Sequence, residues 1–148
     1  MSSEAMASDF TYFRRVEFSD TDTAGLIHFS AMLRYMEEAE HAFYRSLGLP
    51  GYEWTEDQVF GIPRVLVTCE FLAPLRYGEE VEVYLVVREV RTKAIRYEAC
   101  FTREDESGRT LVAQGSMTVV CATRRHGERD WVGTEIPKDL RNQIDPVS

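Results

Sequence analysis

At 148 residues, with 44% hydrophobic and 11% aromatic residues, the chain has the size and apolar content of one globular domain with one core. A net charge of -8 excludes a general affinity for nucleic acid, which needs a dense field of Lys and Arg, and no run of about 18 to 20 apolar residues is present for membrane insertion. The first residues lack the basic and apolar stretches of a signal peptide, so we expect a cytoplasmic protein.

The predicted elements begin with a strand over residues 10–18, in which apolar and polar side chains alternate. A stretch rich in turn formers follows. From about Ser30 the apolar positions recur at helical spacing, and Gly48 followed by Pro50 ends this helix. The pattern therefore predicts a strand and then one long helix.

Four further strands follow the helix. The period-two alternation of apolar side chains predicts them over residues 65–71, 81–88, 94–103 and 111–123, with short turns between them. This order predicts an α+β fold in which one helix lies against an antiparallel five-stranded sheet. One helix cannot cover both faces of such a sheet, so we expect an assembly of subunits to cover the remaining apolar face and any open edge.

One domain over residues 8–135 accounts for these elements. Residues 136–148 are polar and contain Pro137 and Pro146, which predicts a short C-terminal extension. The three cysteines, Cys69, Cys100 and Cys121, lie in apolar segments without the spacing of a zinc site, and we expect buried free thiols.

The segment between the first strand and the helix carries the densest group of reactive side chains. Asp20 and Asp22 lie just before the start of the helix, and Gly25 lets the main chain turn closely past a ligand. A helix start has unpaired backbone N–H groups that stabilise a developing oxyanion. Asp is also favoured in turns and helix caps, so from spacing alone a structural and a catalytic role for these two residues stay open.

The sequence DTDTAGLIHF, followed by Leu33 to Glu37 of the helix, resembles the signature of the 4-hydroxybenzoyl-CoA thioesterase family of hotdog-fold acyl-CoA thioesterases. The resemblance extends from Arg15 to Thr123 and includes Phe71-Leu72-Ala73-Pro74. It implies the hotdog fold, in which a sheet wraps a long helix and subunits pair so that active sites form between them. A homodimer or homotetramer is therefore expected.

The resemblance implies that Asp22 is the catalytic carboxylate of a thioester hydrolase, either as nucleophile or as general base. The backbone N–H groups of about His28 and Phe29 would polarise the thioester carbonyl. Asp20 is expected to hold the loop through hydrogen bonds, and Glu37 on the helix is the next candidate carboxylate.

An acyl pocket near Gly25 would include Met32 and Tyr35, although side chains at this helical spacing also fit a core. The chain departs from many relatives at Ala31, Met32 and Ala94, so substrate contacts are expected to differ. The acyl group, aromatic or aliphatic, stays open.

CoA is a polyanion, and an acidic chain must hold it with a local group of basic side chains. Arg91 and Lys93 lie in a turn between two strands, and Arg124 and Arg125 follow the last strand. Arginine suits phosphate oxygens, and the resemblance implies that the turn holding Lys93 contacts CoA phosphates. No cofactor is expected, because CoA is part of the substrate.

Two other functions remain open. A hydratase or dehydratase on the same fold would pair Asp22 with His28 for proton transfer at carbon, and a module that binds acyl-CoA or acyl-carrier protein would lack turnover. A metal site that uses His28 and His41 fits no standard spacing, and we expect none.

Overall fold

A computed structural model describes residues 6–147 of the chain. The strands and helices follow one another in this order: β1 Asp9–Arg15, α1 Phe29–Ser46, β2 Glu53–Trp54, β3 Gln58–Gly61, β4 Arg64–Phe71, β5 Glu80–Val90, β6 Ala94–Asp105, β7 Gly108–Val120, β8 Ala122–Arg125, β9 Val132–Gly133 and α2 Lys138–Arg141. The predicted α+β class, with one long helix against an antiparallel sheet, is confirmed.

The helix α1 covers the inner face of the main sheet. Its buried side chains recur three and four positions apart, as a helix that packs on one side requires: Ala31, Met32, Tyr35, Met36, Ala39, Glu40, Phe43 and Tyr44. Burying a side chain of the size of Phe43 contributes about 1.5–3 kcal/mol. None of the helices within residues 6–147 is both long and apolar enough to cross a membrane.

The main sheet contains five antiparallel strands in the order β1-β5-β6-β7-β4. In β5, Val81, Val83 and Leu85 are buried beneath α1, and the residues between them point to the outer face. β1 and β4 form the two edges. The helix therefore rests on one continuous apolar surface.

The outer face of the sheet is polar, and the prediction of an uncovered apolar face is wrong for the central strands. The Thr68 and Ser116 hydroxyls lie 2.7 Å apart there, and Arg96 pairs with Glu98 at 3.1 Å. Cys100 is exposed on this face, whereas Cys121 is buried and Cys69 half-buried, so burial was predicted wrongly for Cys100.

A second, smaller sheet was not predicted. It has the order β2-β3-β8-β9. Part of the predicted strand over residues 111–123 belongs to it, because β7 ends at Val120 and β8 begins at Ala122 on the far side of Cys121. The predicted first strand is likewise shorter: after Arg15 the chain leaves the sheet and forms a 3-10 turn at Phe18–Asp20.

The residues predicted to form a C-terminal extension pack into the core. Ile136, Leu140 and Ile144 are 2–3% exposed and belong to the same buried cluster as α1. The N–H of Ala7 donates to the carbonyl of Gln143 at 2.8 Å, which ties this segment to the start of the chain. Residues 136–144 are thus part of the domain.

Gly115→Ala is expected to destabilise the main sheet. An added Cβ at Gly115 would lie 2.3 Å from the carbonyl oxygen of Thr68 on the neighbouring strand β4, so the two strands would have to move apart. Overpacking of this kind costs about 1–3 kcal/mol. Urea unfolding at a fixed protein concentration measures the loss. Gly61→Ala is the matched control, because its Cβ would meet only the Trp131 ring at 3.7 Å, an ordinary contact. Equal stability of the two variants would contradict the prediction.

Candidate active site

A tight loop joins β1 to α1 and carries both aspartates. Thr21 and Ile27 form an antiparallel bridge, and the N–H of Asp22 donates to the carbonyl of Leu26 at 2.8 Å, so the chain folds back on itself. Gly25 closes the turn with a φ of 78°, a conformation that residues with a Cβ rarely adopt. Asp22 is therefore held at the base of a short hairpin.

The Asp22 side chain is exposed and uses one of its two carboxylate oxygens. Its Oδ1 accepts the backbone N–H groups of Ala24 at 2.8 Å and Leu26 at 3.3 Å. Within residues 6–147, Oδ2 has no hydrogen-bond partner. The loop orients the carboxylate and leaves one oxygen available to a water molecule or to a substrate.

The start of α1 lies beside this loop. His28 caps the helix, because its ring nitrogen Nδ1 accepts the N–H of Ser30 at 3.3 Å. The N–H of His28 donates to the carbonyl of Asp20 at 2.7 Å, so it is already engaged and does not fit the predicted oxyanion role. In the described part of the chain, the N–H of Phe29 at the first helical position has no such partner, and it remains as the donor.

Asp20 holds the loop, as its predicted structural role requires. Its carboxylate is 2% exposed and accepts the Tyr35 hydroxyl at 2.7 Å, Arg34 at 2.9 Å, Arg14 at 3.1 Å and the N–H of Glu17 at 3.0 Å. Burial alone would raise the pKa of Asp20, but these donors outweigh it and keep the pKa below its ordinary value. Asp20 thus stays ionised and links β1, the loop and α1.

An open groove of about 710 Å³ runs past Asp22. One wall comes from the loop and the start of α1, with Leu26, Ile27 and Phe29, and the other from residues 71–75 at the end of β4. Met32 and Tyr35, predicted as pocket residues, are at most 1% exposed in the core and do not line the groove. Residues 71–74 carried the family resemblance, which was the sequence signal for this wall.

The predicted CoA-binding residues lie at the other end of the sheet. Ala94 and Arg64 pair with Val120 and Val119 of β7, so the turn with Lys93 lies at the Arg64 end of β4. Asp22 lies at the Phe71 end. Seven residue steps of about 3.3 Å separate the two ends of the strand, a distance of about 23 Å. One chain therefore does not bring these basic groups to Asp22.

The four basic residues also differ in their surroundings. Arg91 is held by Glu89 at 2.9 Å, and Arg125 lies opposite Gln58 on one face of the small sheet. Lys93, Arg124 and Arg125 pair with no carboxylate among residues 6–147. Three of the four are thus available to a phosphate group without breaking an ion pair.

The two histidines of the metal hypothesis are far apart. His28 caps the start of α1, and His41 lies 13 residues further along the chain, about 20 Å at 1.5 Å per helical residue. Glu37 lies between them and pairs with Arg64 at 2.8 Å. The structure therefore does not bring these histidines together.

A sequence profile of the family described as the thioesterase-like superfamily matches residues 16–144 of the chain. Two relatives match along nearly their whole length. The 1,4-dihydroxy-2-naphthoyl-CoA hydrolase of Thermosynechococcus vestitus is 27% identical over 138 residues, which are 93% of this chain and 92% of the relative. The 4-hydroxybenzoyl-CoA thioesterase of Pseudomonas sp. strain CBS-3 is 25% identical over 136 residues, 90% and 96% of the two chains.

Among solved structures, a 4-hydroxybenzoyl-CoA thioesterase in which one aspartate is replaced by asparagine, in complex with 4-hydroxybenzoyl-CoA, superimposes with a TM-score of 0.78. It is 20% identical and covers 94% of this chain and all of its own. At this identity the similarity shows the fold: both chains wrap a sheet around one long helix.

Proposed function

The chain belongs to the thioesterase-like superfamily, and from this premise we propose that it hydrolyses an acyl-CoA thioester to the free acid and CoA, with Asp22 as its essential carboxylate. Both relatives described above are hydrolases of CoA thioesters. The acyl groups in their names are aromatic, and the groove beside Asp22 is lined mainly by apolar side chains. These two facts support an aromatic acyl-CoA as the first substrate to try.

The observation that carries the proposal is the state of the Asp22 carboxylate. Asp22 lines the groove; one of its carboxylate oxygens is fixed by two backbone N–H groups, and the other has no partner in the described residues. A carboxylate held in this way is already oriented before the reaction begins, and its exposure leaves Oδ2 accessible to water or to a substrate.

Two reaction courses use this geometry. Asp22 either takes a proton from water, whose oxygen attacks the thioester carbonyl, or attacks that carbon itself to form a mixed anhydride that water then cleaves. In both, the carbonyl oxygen becomes an oxyanion next to the Phe29 N–H and the positive end of the α1 dipole. The C–S bond breaks, and the CoA thiolate leaves and takes up a proton.

The length of β4, about 23 Å from its Arg64 end to the Phe71 end beside Asp22, supports a site made by two subunits. β4 is an edge strand, and its Val65, Leu66 and Phe71 are 49–61% exposed. If two β4 edges pair antiparallel around a two-fold axis, the Arg64 end of one subunit lies beside the Phe71 end of the other. The basic residues of one subunit then reach the groove of its partner, so the active unit is a homodimer.

Leu66→Lys is expected to weaken dimerisation at least tenfold, because it places two like charges near the two-fold axis of the paired edges. Sedimentation velocity over a range of concentrations measures the change in Kd. The rate of thiol release should decrease in proportion to the fraction of dimer, because each active site needs residues from both subunits. Phe13→Lys, an equally exposed apolar residue on the other edge strand β1, is the control and should leave the dimer intact. A Leu66→Lys dimer as tight as that of the wild type would rule out pairing through β4.

The test of function is thiol release from a panel of aromatic and aliphatic acyl-CoAs by the wild-type protein. We expect catalytic release with at least one aromatic member, and the panel then names the acyl class. Hydration of an enoyl-CoA without free thiol would replace the proposal with a hydratase. Tight binding of acyl-CoA without hydrolysis across the panel would replace it with a binding module.

A further inference from the structure

Both tryptophans of the chain lie on one face of the small sheet. Trp54 is 65% exposed and stacks on His126, with ring centroids 5.0 Å apart and an interplanar angle of 23°. Trp131 is 47% exposed, and the guanidinium carbon of Arg124 lies 5.7 Å from its ring centroid. Exposed tryptophans with positive charge beside them are a feature of ligand surfaces rather than of solvated ones.

The strand register explains why these side chains meet. Trp54 lies opposite Val59, which lies opposite Arg124, and residues directly opposite in antiparallel strands share a face. Gly61 is two residues after Val59, so it points to the same face, and its missing side chain leaves room for the Trp131 ring 3.7 Å away. Val59 is only 6% exposed beneath them.

A second glycine extends this surface to Lys93. Gly133 lies opposite Ala122, which lies opposite Gly61, so it is on the same face. The Cδ of Lys93 lies 3.6 Å from the position that a Cβ on Gly133 would take. We call Trp54, Lys93, Arg124, His126 and Trp131 the tryptophan face.

The charges of the tryptophan face are available to a ligand. In the described part of the chain, neither Lys93 nor Arg124 has a carboxylate partner, although the chain has a net charge of -8 and most of its other strand arginines are paired. Arg124 does donate to the backbone carbonyl of Glu128 at 2.9 Å, which fixes its position above Trp131. The face therefore offers oriented cations next to flat aromatic rings.

Aromatic rings stack with nucleobases, and Lys and Arg bind phosphate oxygens. A surface with exposed tryptophan rings next to unpaired cations is therefore suited to bind a nucleotide, which carries both a base and phosphates. We propose that the adenine base of the CoA thioester, whose phosphates are expected on Lys93 and Arg124, stacks on the open side of Trp54 in the tryptophan face. This inference rests on the proposed function, which supplies the nucleotide. It adds the aromatic part of the subsite and makes Trp54 a specificity residue for CoA over shorter thiols.

Tryptophan fluorescence tests the contact directly, because the chain has no tryptophan outside this face. Titration of the wild type with adenosine 3′,5′-bisphosphate is expected to quench the emission with saturation. In Trp131→Phe the quenching should persist, since Trp54 remains. In Trp54→Ala the saturable quenching should disappear. Quenching that is the same in Trp54→Ala and the wild type would overturn the proposal.

Kinetics with two thioesters of the same acid separate the nucleotide subsite from the acyl site. Trp54→Ala is expected to raise the KM for the acyl-CoA by roughly tenfold, the effect of losing one base–aromatic stack. The KM for the acyl-pantetheine thioester, which lacks the nucleotide, should not change. Trp54→Phe, which keeps an aromatic ring, should recover most of the affinity.

The matched control is Tyr52→Ala, another exposed aromatic residue, which lines a separate cavity bounded by Gln58 and Thr123. It should leave both KM values unchanged. An equal KM change for the two thioesters, or weaker self-association of Trp54→Ala in sedimentation, would overturn the inference, the latter in favour of a second copy of the chain as the occupant. If the bisphosphate binds but the wild type releases no thiol, the proposed function fails while the nucleotide face stands.

Discussion

Asp22→Asn is expected to lower kcat for thiol release by on the order of a hundredfold or more, with little change in KM. The amide has nearly the shape of the carboxylate, and its carbonyl oxygen can still accept the N–H groups of Ala24 and Leu26 that hold Oδ1 in the wild type. The loop should therefore keep its structure while the basicity and nucleophilicity at Oδ2 are lost. Initial rates with the best acyl-CoA of the panel measure the effect.

Asp139→Asn makes the same chemical change at an exposed carboxylate of α2 and should leave kcat unchanged. A rate for Asp22→Asn within a few-fold of the wild type would mean that Asp22 only shapes the loop. Glu37 would then be the next carboxylate to replace, because it is half-exposed on α1 and its charge is already oriented by Arg64.

Arg64→Met is expected to lower the free energy of unfolding by about 1.4 kcal/mol more at pH 8 than at pH 5, because above the wild-type pKa of Glu40, about 7, it leaves the buried carboxylate without its cation. Glu40 is 0% exposed in the middle of α1 and pairs with Arg64 at the start of β4. Its second oxygen accepts the Tyr44 hydroxyl, which in turn accepts the hydroxyl of Tyr97 at 3.1 Å. Urea unfolding at a fixed subunit concentration measures the loss.

The loss should depend on pH in a defined direction. Burial raises the pKa of Glu40 to about 7 from its ordinary 4.5, against the opposite effects of Arg64 and the Tyr44 hydroxyl. The folded state thus binds this proton more tightly than the unfolded state, so the stability contributed by Glu40 is full below about pH 4.5 and falls as the pH rises through about 7. Without Arg64 the pKa rises further, and the fall continues to higher pH. The difference between wild type and Arg64→Met should be small at pH 5 and largest at pH 8.

The double variant Arg64→Met with Glu40→Met is the control for this prediction. It removes both charges and fills the space with flexible apolar side chains, so it should recover most of the stability at pH 8. If the double variant were as unstable as Arg64→Met at both pH values, the loss would come from packing and not from an unpaired charge.

The sequence allowed a correct prediction of the elements that bury a regular pattern. The helix α1 and the inward residues of β5 follow from spacing alone, because one side of each faces the same core. The strands β2 and β9 contain two residues each, too few to show a period, and the small sheet therefore stayed undetected. The segment that contains α2 was missed because three isolated apolar residues, Ile136, Leu140 and Ile144, bind it to the core.

The sequence was enough to predict which residues belong to the candidate site, but not all of the hydrogen bonds and packing contacts that these residues make. The DTD motif identified Asp22 and Asp20 as site residues. It did not indicate which backbone N–H group would donate a hydrogen bond within the loop and so be lost as an oxyanion donor. The engagement of His28 by the Asp20 carbonyl is a tertiary contact without a sequence signature. For Met32 and Tyr35 the helical period fits both a pocket and a core, and the choice depends on how α1 is rotated above the sheet. Trp54 and Trp131 come together only through the pairing of β3 with its neighbours.

The most direct measurement of the central claim is the stoichiometry of products from one aromatic acyl-CoA incubated with a small amount of wild-type protein. The account predicts many turnovers, with one free thiol and one carboxylic acid formed for each thioester consumed. Thioester that remains intact in the presence of the protein, or that is consumed without free thiol, would contradict it.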